Sequence, residues 1–332
     1  MRILRHFTKV AAESKGAVVA IGNFDGIHRG HQEVIAKTRR LARELEAPSA
    51  VMTFEPHPRA YFAPDQPPFR LTPFRVKTRL IEALGVDILY VLRFDRSLAN
   101  LEAEDFITRV LGQGLSARHV IVGDNFHFGR KRRGTPEMLE TLARAQGIGV
   151  TVMKRVAGPG SEPYSSTLVR EYLKTGNPTR AALLLGRYWE IEGRIQHGAK
   201  RGRDLGFPTA NISLGQILRP AFGVYAVRAT VDTGGETVWL PGVANIGISP
   251  MFSYDTPLLE VHLLDFNADL YGKHMRVALI DYLRPEISFP DLEALKERMV
   301  EDRERASAIL AFESWEETWP TSPFITAPQD RE

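Results

Sequence analysis

The spacing of apolar residues changes once along this chain, near residue 186, and that change constrains the fold more than any other feature. Before it, short apolar runs at 17–24, 49–54, 86–92, 119–122 and 149–153 alternate with segments patterned at the helical period. Val34, Ile35, Thr38, Leu41, Ala42 and Leu45 form one such stripe, and further helices are predicted over 73–84, 103–111, 136–147 and 166–174. Gly176-Asn177-Pro178 stops the last of these, and a short helix over 180–185 follows. After Gly186 the runs at 189–193, 223–233, 237–243, 258–266 and 274–282 succeed one another without helices, several at period two, until a helical pattern returns over 290–310. The first half therefore predicts an α/β domain with a parallel sheet. The second predicts an antiparallel β-barrel or sandwich, with Leu292, Leu295, Met299, Ala306 and Leu310 of the terminal helix covering it. The boundaries expected are 1–186, 187–312, and a partly disordered tail over 313–332.

The chain has 332 residues and no cysteine, which excludes disulfides, iron–sulfur clusters and thiolate zinc sites. No run approaches 18 uncharged apolar residues and the first residues lack a signal-peptide core, so a cytoplasmic, non-membrane protein is expected. Its 43 basic and 40 acidic residues nearly balance, which gives no support for a nucleic-acid partner; small-molecule ligands are expected, and a homo-oligomer is compatible with the composition. The basic run Gly129-Arg130-Lys131-Arg132-Arg133-Gly134 reads either as a solvated loop or as one that meets a polyphosphate.

Chemistry is concentrated after the first long apolar run, in Gly22-Asn23-Phe24-Asp25-Gly26-Ile27-His28-Arg29-Gly30-His31. A buried strand ends there in a glycine-punctuated turn and a helix begins, which presents N–H groups and a positive dipole end to an anion. His28 and His31 are spaced to share one helix face beside that anion, where two imidazoles can stabilise charge on a phosphate in flight. Without a His-Glu-x-x-His pattern, anion stabilisation is a better account of the pair than zinc. Ser165, Ser166, Thr167 and Arg170 stand at another predicted helix start, where hydroxyls, N–H groups and a guanidinium suit a polyphosphate, or where serine simply caps the helix. Asn125, Phe126 and Phe128 follow a strand end; taken alone, such phenylalanines are core. Glu260 begins an apolar strand, either as an edge glutamate or as a carboxylate able to accept a hydroxyl proton. No G-x-x-x-x-G-K-[ST] loop occurs, so a kinase site here holds phosphates by other means.

The string His28-Arg29-Gly30-His31 resembles the HxGH signature of the nucleotidyltransferase superfamily, and the longer element with Gly22–Gly26 resembles the prokaryotic bifunctional riboflavin kinase/FMN adenylyltransferases. The resemblance continues in order through Thr53-Phe54-Glu55-Pro56-His57-Pro58, Val122-Gly123-Asp124-Asn125-Phe126-His127-Phe128-Gly129 and Ser165-Ser166-Thr167-Leu168-Val169-Arg170. It then runs through Gly202-Arg203-Asp204-Leu205-Gly206-Phe207-Pro208-Thr209-Ala210-Asn211, Gly242-Val243-Ala244-Asn245-Ile246-Gly247, Glu260-Val261-His262-Leu263-Leu264-Asp265-Phe266 and Asp269-Leu270-Tyr271-Gly272.

The resemblance implies a nucleotidyltransferase domain that transfers AMP from ATP to FMN, followed by a β-barrel that phosphorylates riboflavin. It implies His28, His31 and Arg170 as catalytic groups of the first reaction and Glu260 as base of the second. Gly22, Asn23, Phe24, Asp25, Gly26, Gly30, Ser165, Ser166, Thr167, Gly206, Pro208 and Asn211 would bind nucleotide. Asn125, Phe126, Phe128 and Phe62 would meet the flavin, and Thr209 and Asn211 would hold Mg²⁺ with ATP. His57 is either a further site residue or a turn residue. Where the family carries an arginine-proline-threonine string, this chain has Ser249-Pro250-Met251, which bears on the kinase pocket. Two other readings are an RNA-handling enzyme, against which the missing Lys-Met-Ser-Lys-Ser-type loop argues, and a flavin-binding protein retaining one activity.

Overall fold

The computed structural model describes residues 1–156, 158, 162–196, 207–232, 237–248, 257–266 and 268–312. Gly206 with most of its loop, the Ser249-Pro250-Met251 string and the tail over 313–332 lie outside the described residues. By contact the chain divides into two compact units, Met1–Pro67 with Thr72–Ser165, and Pro68–Leu71 with Ser166 onward.

The first unit is built on β1 (Arg2–Leu4), β2 (Val18–Ile21), β3 (Ser49–Glu55), β4 (Ile88–Arg93), β5 (His119–Gly123) and β6 (Gly149–Met153). Around them lie α1 (Arg29–Glu44), α2 (Pro58–Phe62), α3 (Phe74–Ala83), α4 (Arg96–Ala99), α5 (Ala103–Asp105) running into a π-helix over Phe106–Gly114, and α6 (Pro136–Arg144). The strands are all parallel in the order β1-β4-β3-β2-β5-β6. β2 is buried throughout, as a strand covered on both faces must be. Val19 and Ile21 pack with Met52, Tyr90, Val122 and Phe106, while Val18 packs on the other face with Ile121 and Ala42 of α1. The chain runs outward from β2 through β3 to β4 and returns to β5 on the other side of β2. Such a reversal opens a crevice at the carboxyl ends of the two diverging strands, here β2 and β5.

Two differences from the sequence reading have local causes. The apolar run continues to Phe24, but the strand stops at Ile21 because Phe24 takes a left-handed φ of 47°, which a pleated strand cannot contain. β1 has three residues, too few for period two to show.

The second unit comprises α7 (Ser166–Lys174), α8 (Pro178–Leu185), β7 (Trp189–Arg194), β8 (Ala210–Ser213), β9 (Gly223–Val231), β10 (Leu240–Gly247), β11 (Leu258–Leu263), β12 (His274–Arg284) and α9 (Leu292–Phe312). α7 and α8, which the sequence reading set at the end of the first domain, are grouped with the barrel, and Thr179 Oγ1 donates to the Ile280 carbonyl at 3.2 Å. The strands pair antiparallel in the order β7-β12-β9-β10-β11-β8. Its two edges meet where the Gln196 N–H donates to the Asn211 carbonyl at 2.9 Å, so the sheet is a nearly closed barrel. α9 covers the barrel through Ala306 and Leu310, buried against Val224, Ala226, Ala278 and Ile280. Arg284 anchors it by an ion pair to Asp302 at 2.7 Å. Leu292, expected in the covering stripe, is exposed, because the contact is confined to the later turns of the helix. Among the described residues no helix is long and apolar enough to cross a membrane.

Candidate active sites

The Gly22–His28 turn leaves β2 at the crevice and delivers His28 as the N-cap of α1. His28 Nδ1 accepts the His31 N–H at 3.3 Å, which in the neutral ring places the proton on Nε2. The two imidazoles lie 3.6 Å apart between centroids and 16° from parallel. Gly30 is where it is because a Cβ there would come within 3.2 Å of the His28 ring and of Tyr164. The pair is therefore one rigid unit at a helix N-terminus, where the dipole favours an anion.

The rest of the turn is held from beneath. Asp25 is buried and its Oδ1 accepts from the Thr72 N–H at 3.0 Å and the Thr72 hydroxyl at 3.1 Å. The Gly26 N–H donates to Thr72 Oγ1 at 3.0 Å, so that amide serves the fold. Phe24 is buried with its ring 5.1 Å from His31, and Asn23 is exposed at the surface of the turn.

Other predicted groups of this unit emerge on the same sheet edge. After β5, Asn125 is exposed, Phe126 is half-buried and Phe128 is buried in the core, the last two rings stacked at 5.4 Å. After β3, His57 caps α2 by accepting the Arg59 N–H at 3.0 Å. Phe62 is 67% exposed, in edge contact with Tyr61 and Phe94. In the basic loop, Arg130 pairs with Glu102 at 3.1 Å, and Lys131 and Arg132 both adopt positive φ.

Ser165 closes the first unit and Ser166 opens α7 in the second, where Ser166 is half-buried and Thr167 exposed. One turn on, Arg170 Nε donates to the Phe69 carbonyl at 2.8 Å with its guanidinium 5.5 Å from the Phe69 ring.

In the barrel, register builds the site. Glu260 on β11 stands opposite Asn211 on β8 and opposite Asn245 on β10, so the three side chains share one face in a row across three strands. Burial pushes the Glu260 carboxyl above its usual value, and the charge of Glu286 pushes it further the same way. Glu286 accepts from Asn245 Nδ2 at 3.5 Å. Asn211 is buried and, among the described residues, its Oδ1 has no hydrogen-bond partner. Thr209 lies two residues before it, on the same side of the extended chain. His262, two residues beyond Glu260, uses Nδ1 to hold the Pro208 carbonyl at 3.0 Å, with Phe207 against its ring at 5.2 Å. Asn245, His262 and Glu286 are absent from the sequence-derived site. Period two from Glu260 could have shown His262; Asn245 and Glu286 needed the strand register.

Two family models match successive parts of the chain. The family model for FAD synthetase matches residues 10–168, and that for riboflavin kinase matches 185–310. The chain is 42% identical to the bifunctional riboflavin kinase/FMN adenylyltransferase of Pseudomonas fluorescens, over 94% of this chain and 98% of that protein. It is 40% identical to the protein of the same description from Escherichia coli K12, over 91% and 96%. A solved structure from Streptococcus pneumoniae described as a macrolide-efflux protein superposes with a TM-score of 0.81 at 29% identity, over 92% of this chain and 98% of that one.

Proposed function

Because this chain belongs to the bifunctional riboflavin kinase/FMN adenylyltransferase family, we propose how its residues divide the two reactions between barrel and parallel-sheet unit. The enzyme phosphorylates riboflavin to FMN and adenylylates FMN to FAD. The observation that carries the assignment is the presence, in one chain, of the stacked and N-capping His28–His31 pair and of the Asn211–Glu260–Asn245 row.

In the barrel, the 5′-hydroxyl of riboflavin attacks the γ-phosphorus of ATP and ADP leaves. Glu260 accepts the hydroxyl proton, and its raised proton affinity suits that role near neutral pH. Asn211 Oδ1, a buried amide oxygen with no hydrogen-bond partner among the described residues, and the Thr209 hydroxyl are hard oxygen donors that fit Mg²⁺. Bound there with ATP, the ion would neutralise charge on the phosphates. Pro208 borders the proposed Mg–ATP site, and His262 fixes the Phe207-Pro208 segment.

In the first unit, an FMN phosphate oxygen attacks the α-phosphorus of ATP and pyrophosphate leaves. A phosphate monoester is already an anion, so no protein base is needed. Charge on the α-phosphate is met by the His28 Nε2–H, by His31 and by the N-terminal dipole of α1, and each well-placed donor contributes about 10²–10³ in rate. Gly22, Asn23 and Gly30 shape the turn against the nucleotide, with Phe24, Asp25 and Gly26 supporting it from below. Ser165 is assigned to the ATP phosphates on the resemblance of its motif, which continues into α7 as Ser166, Thr167 and Arg170. Phe62, Asn125 and Phe126 are assigned to the flavin, and Phe128 backs Phe126 from the core. The ligands of this reading are small molecules and not nucleic acid, and the site of action is the cytoplasm.

The test incubates the protein with riboflavin, ATP and Mg²⁺ and separates the flavins by chromatography. His31→Ala should leave FMN formation intact and cut FAD formation by about 10²-fold or more. Equal loss of both products would overturn the division.

A further inference from the structure

Lys77 sits on α3 beside Val76, Leu80 and Ile81 and is fully buried, at 0% exposure, which is rare for lysine. Its ammonium lies under the Gly22–His28 turn. Nζ donates to the Asn23 carbonyl at 2.8 Å and to Thr53 Oγ1 at 3.4 Å, and Glu55 Oε1 is 3.7 Å away. The Thr53 hydroxyl also donates to the Asn23 carbonyl, at 3.2 Å. One carbonyl is thus clamped by two donors, and the three donors of the ammonium face three oxygens.

That carbonyl belongs to the peptide entering the strained part of the turn. Phe24, Gly26 and Ile27 have φ of 47°, 89° and 45°, and His28 follows directly. Left-handed backbone at non-glycine residues persists only where surrounding contacts over-determine it. Thr72 fixes one side of the turn and Lys77 the other. An apolar side chain would fill the same volume without the desolvation of a charge, so packing alone does not explain a lysine here.

We propose that Lys77 is a positioning residue for adenylyl transfer. It holds the Asn23–Phe24 peptide so that the turn and His28 meet the α-phosphate in reacting geometry, with Glu55 balancing its charge. The proposal rests on the adenylyl-transfer reading of that turn.

The test compares wild type, Lys77→Met, Thr53→Val and His31→Ala in the full chain. It measures FAD formation from FMN and ATP, FMN formation from riboflavin and ATP, and amide hydrogen exchange in β2 and β3. A misplacement of about 1 Å costs about 10²-fold in rate, so Lys77→Met should lower kcat for FAD formation by about 30-fold or more. Over the same comparison KM for ATP should change less than about threefold, kinase rate less than about twofold, and β2 and β3 should keep their protection. Thr53→Val, losing one of the two donors, should lower kcat by about three- to tenfold. A Lys77→Met kcat within about threefold of wild type overturns the proposal, as does a fall matched by lost protection in β2 and β3. If Lys77→Met does not fold, an unchanged kcat in Thr53→Val overturns it. A wild type that makes no FAD overturns the underlying reading instead, whereas active wild type and Lys77→Met with inactive His31→Ala overturns the role of Lys77 alone.

Discussion

Glu260 on β11 and Asn211 on β8 occupy directly opposed positions of an antiparallel pair, which sets an amide oxygen without a hydrogen-bond partner among the described residues on the same face as the proposed base. That relationship separates stability from function. Replacing a buried, unpartnered polar atom by an apolar group of the same shape is neutral or stabilising. Asn211→Leu should therefore keep or raise the thermal midpoint, within about 1 kcal/mol of the wild-type stability. The same variant should need at least about tenfold more Mg²⁺ for half-maximal FMN formation, since one of the two protein oxygens proposed to hold the ion is gone. Calorimetry and a Mg²⁺ titration of the kinase reaction check the two halves.

The proton affinity of Glu260 gives the kinase a pH signature. A general base must be deprotonated, and a raised pKa moves the acid limb of the rate profile upward. Kinase kcat/KM should therefore rise with pH through an apparent pKa above the usual glutamate value. Burial is the larger cause and the Glu286 charge the second, so Glu286→Gln should shift the limb to lower pH without removing it. Glu260→Gln should lower FMN formation by about 10²–10⁴-fold and leave FAD formation from supplied FMN unchanged.

What the sequence disclosed follows from which interactions are local. The β2–turn–α1 unit was legible because a buried parallel strand, its glycines and a helical stripe all lie within one segment. β8 was not, since its four residues alternate too briefly and its pairing partners are distant in the chain. Thr72 reads as a residue before a helix, yet its hydroxyl bonds Asp25 and Gly26 some 46 positions away. Lys77 in a helical stripe reads as solvent-facing, and only the sheet's return to the same edge shows what its ammonium meets. Glu260 could be named from its strand, but the row that gives it chemistry is a property of register.

His28 combines two roles that substitution can part. As N-cap it satisfies the His31 N–H, and loss of such a cap costs about 0.5–2 kcal/mol. His28→Ala should lose that stability and FAD formation together. Asparagine is among the best N-caps, so His28→Asn should recover the thermal midpoint to within about 0.5 kcal/mol while FAD formation stays about 10²-fold down. Recovery of activity in His28→Asn would reduce the imidazole to a cap.

Thr72 offers the complementary case, a residue that shapes the turn while standing behind it. Its hydroxyl is at once the donor to Asp25 Oδ1 and the acceptor of the Gly26 N–H, inside the buried core of the turn. Thr72→Val preserves shape and the Thr72 N–H bond to Asp25 but removes the hydroxyl shared by Asp25 Oδ1 and the Gly26 N–H, a loss of about 1–3 kcal/mol. The first unit should unfold at lower temperature by that margin. Ser should recover most of the loss, because it restores the hydroxyl and omits only a methyl. The turn's left-handed residues depend on these contacts, so FAD formation in Thr72→Val should fall more steeply on warming than FMN formation does. Parallel temperature series of the two activities decide it: matched declines would mean that the Thr72 knot supports the whole protein and does not selectively hold the phosphate-facing turn.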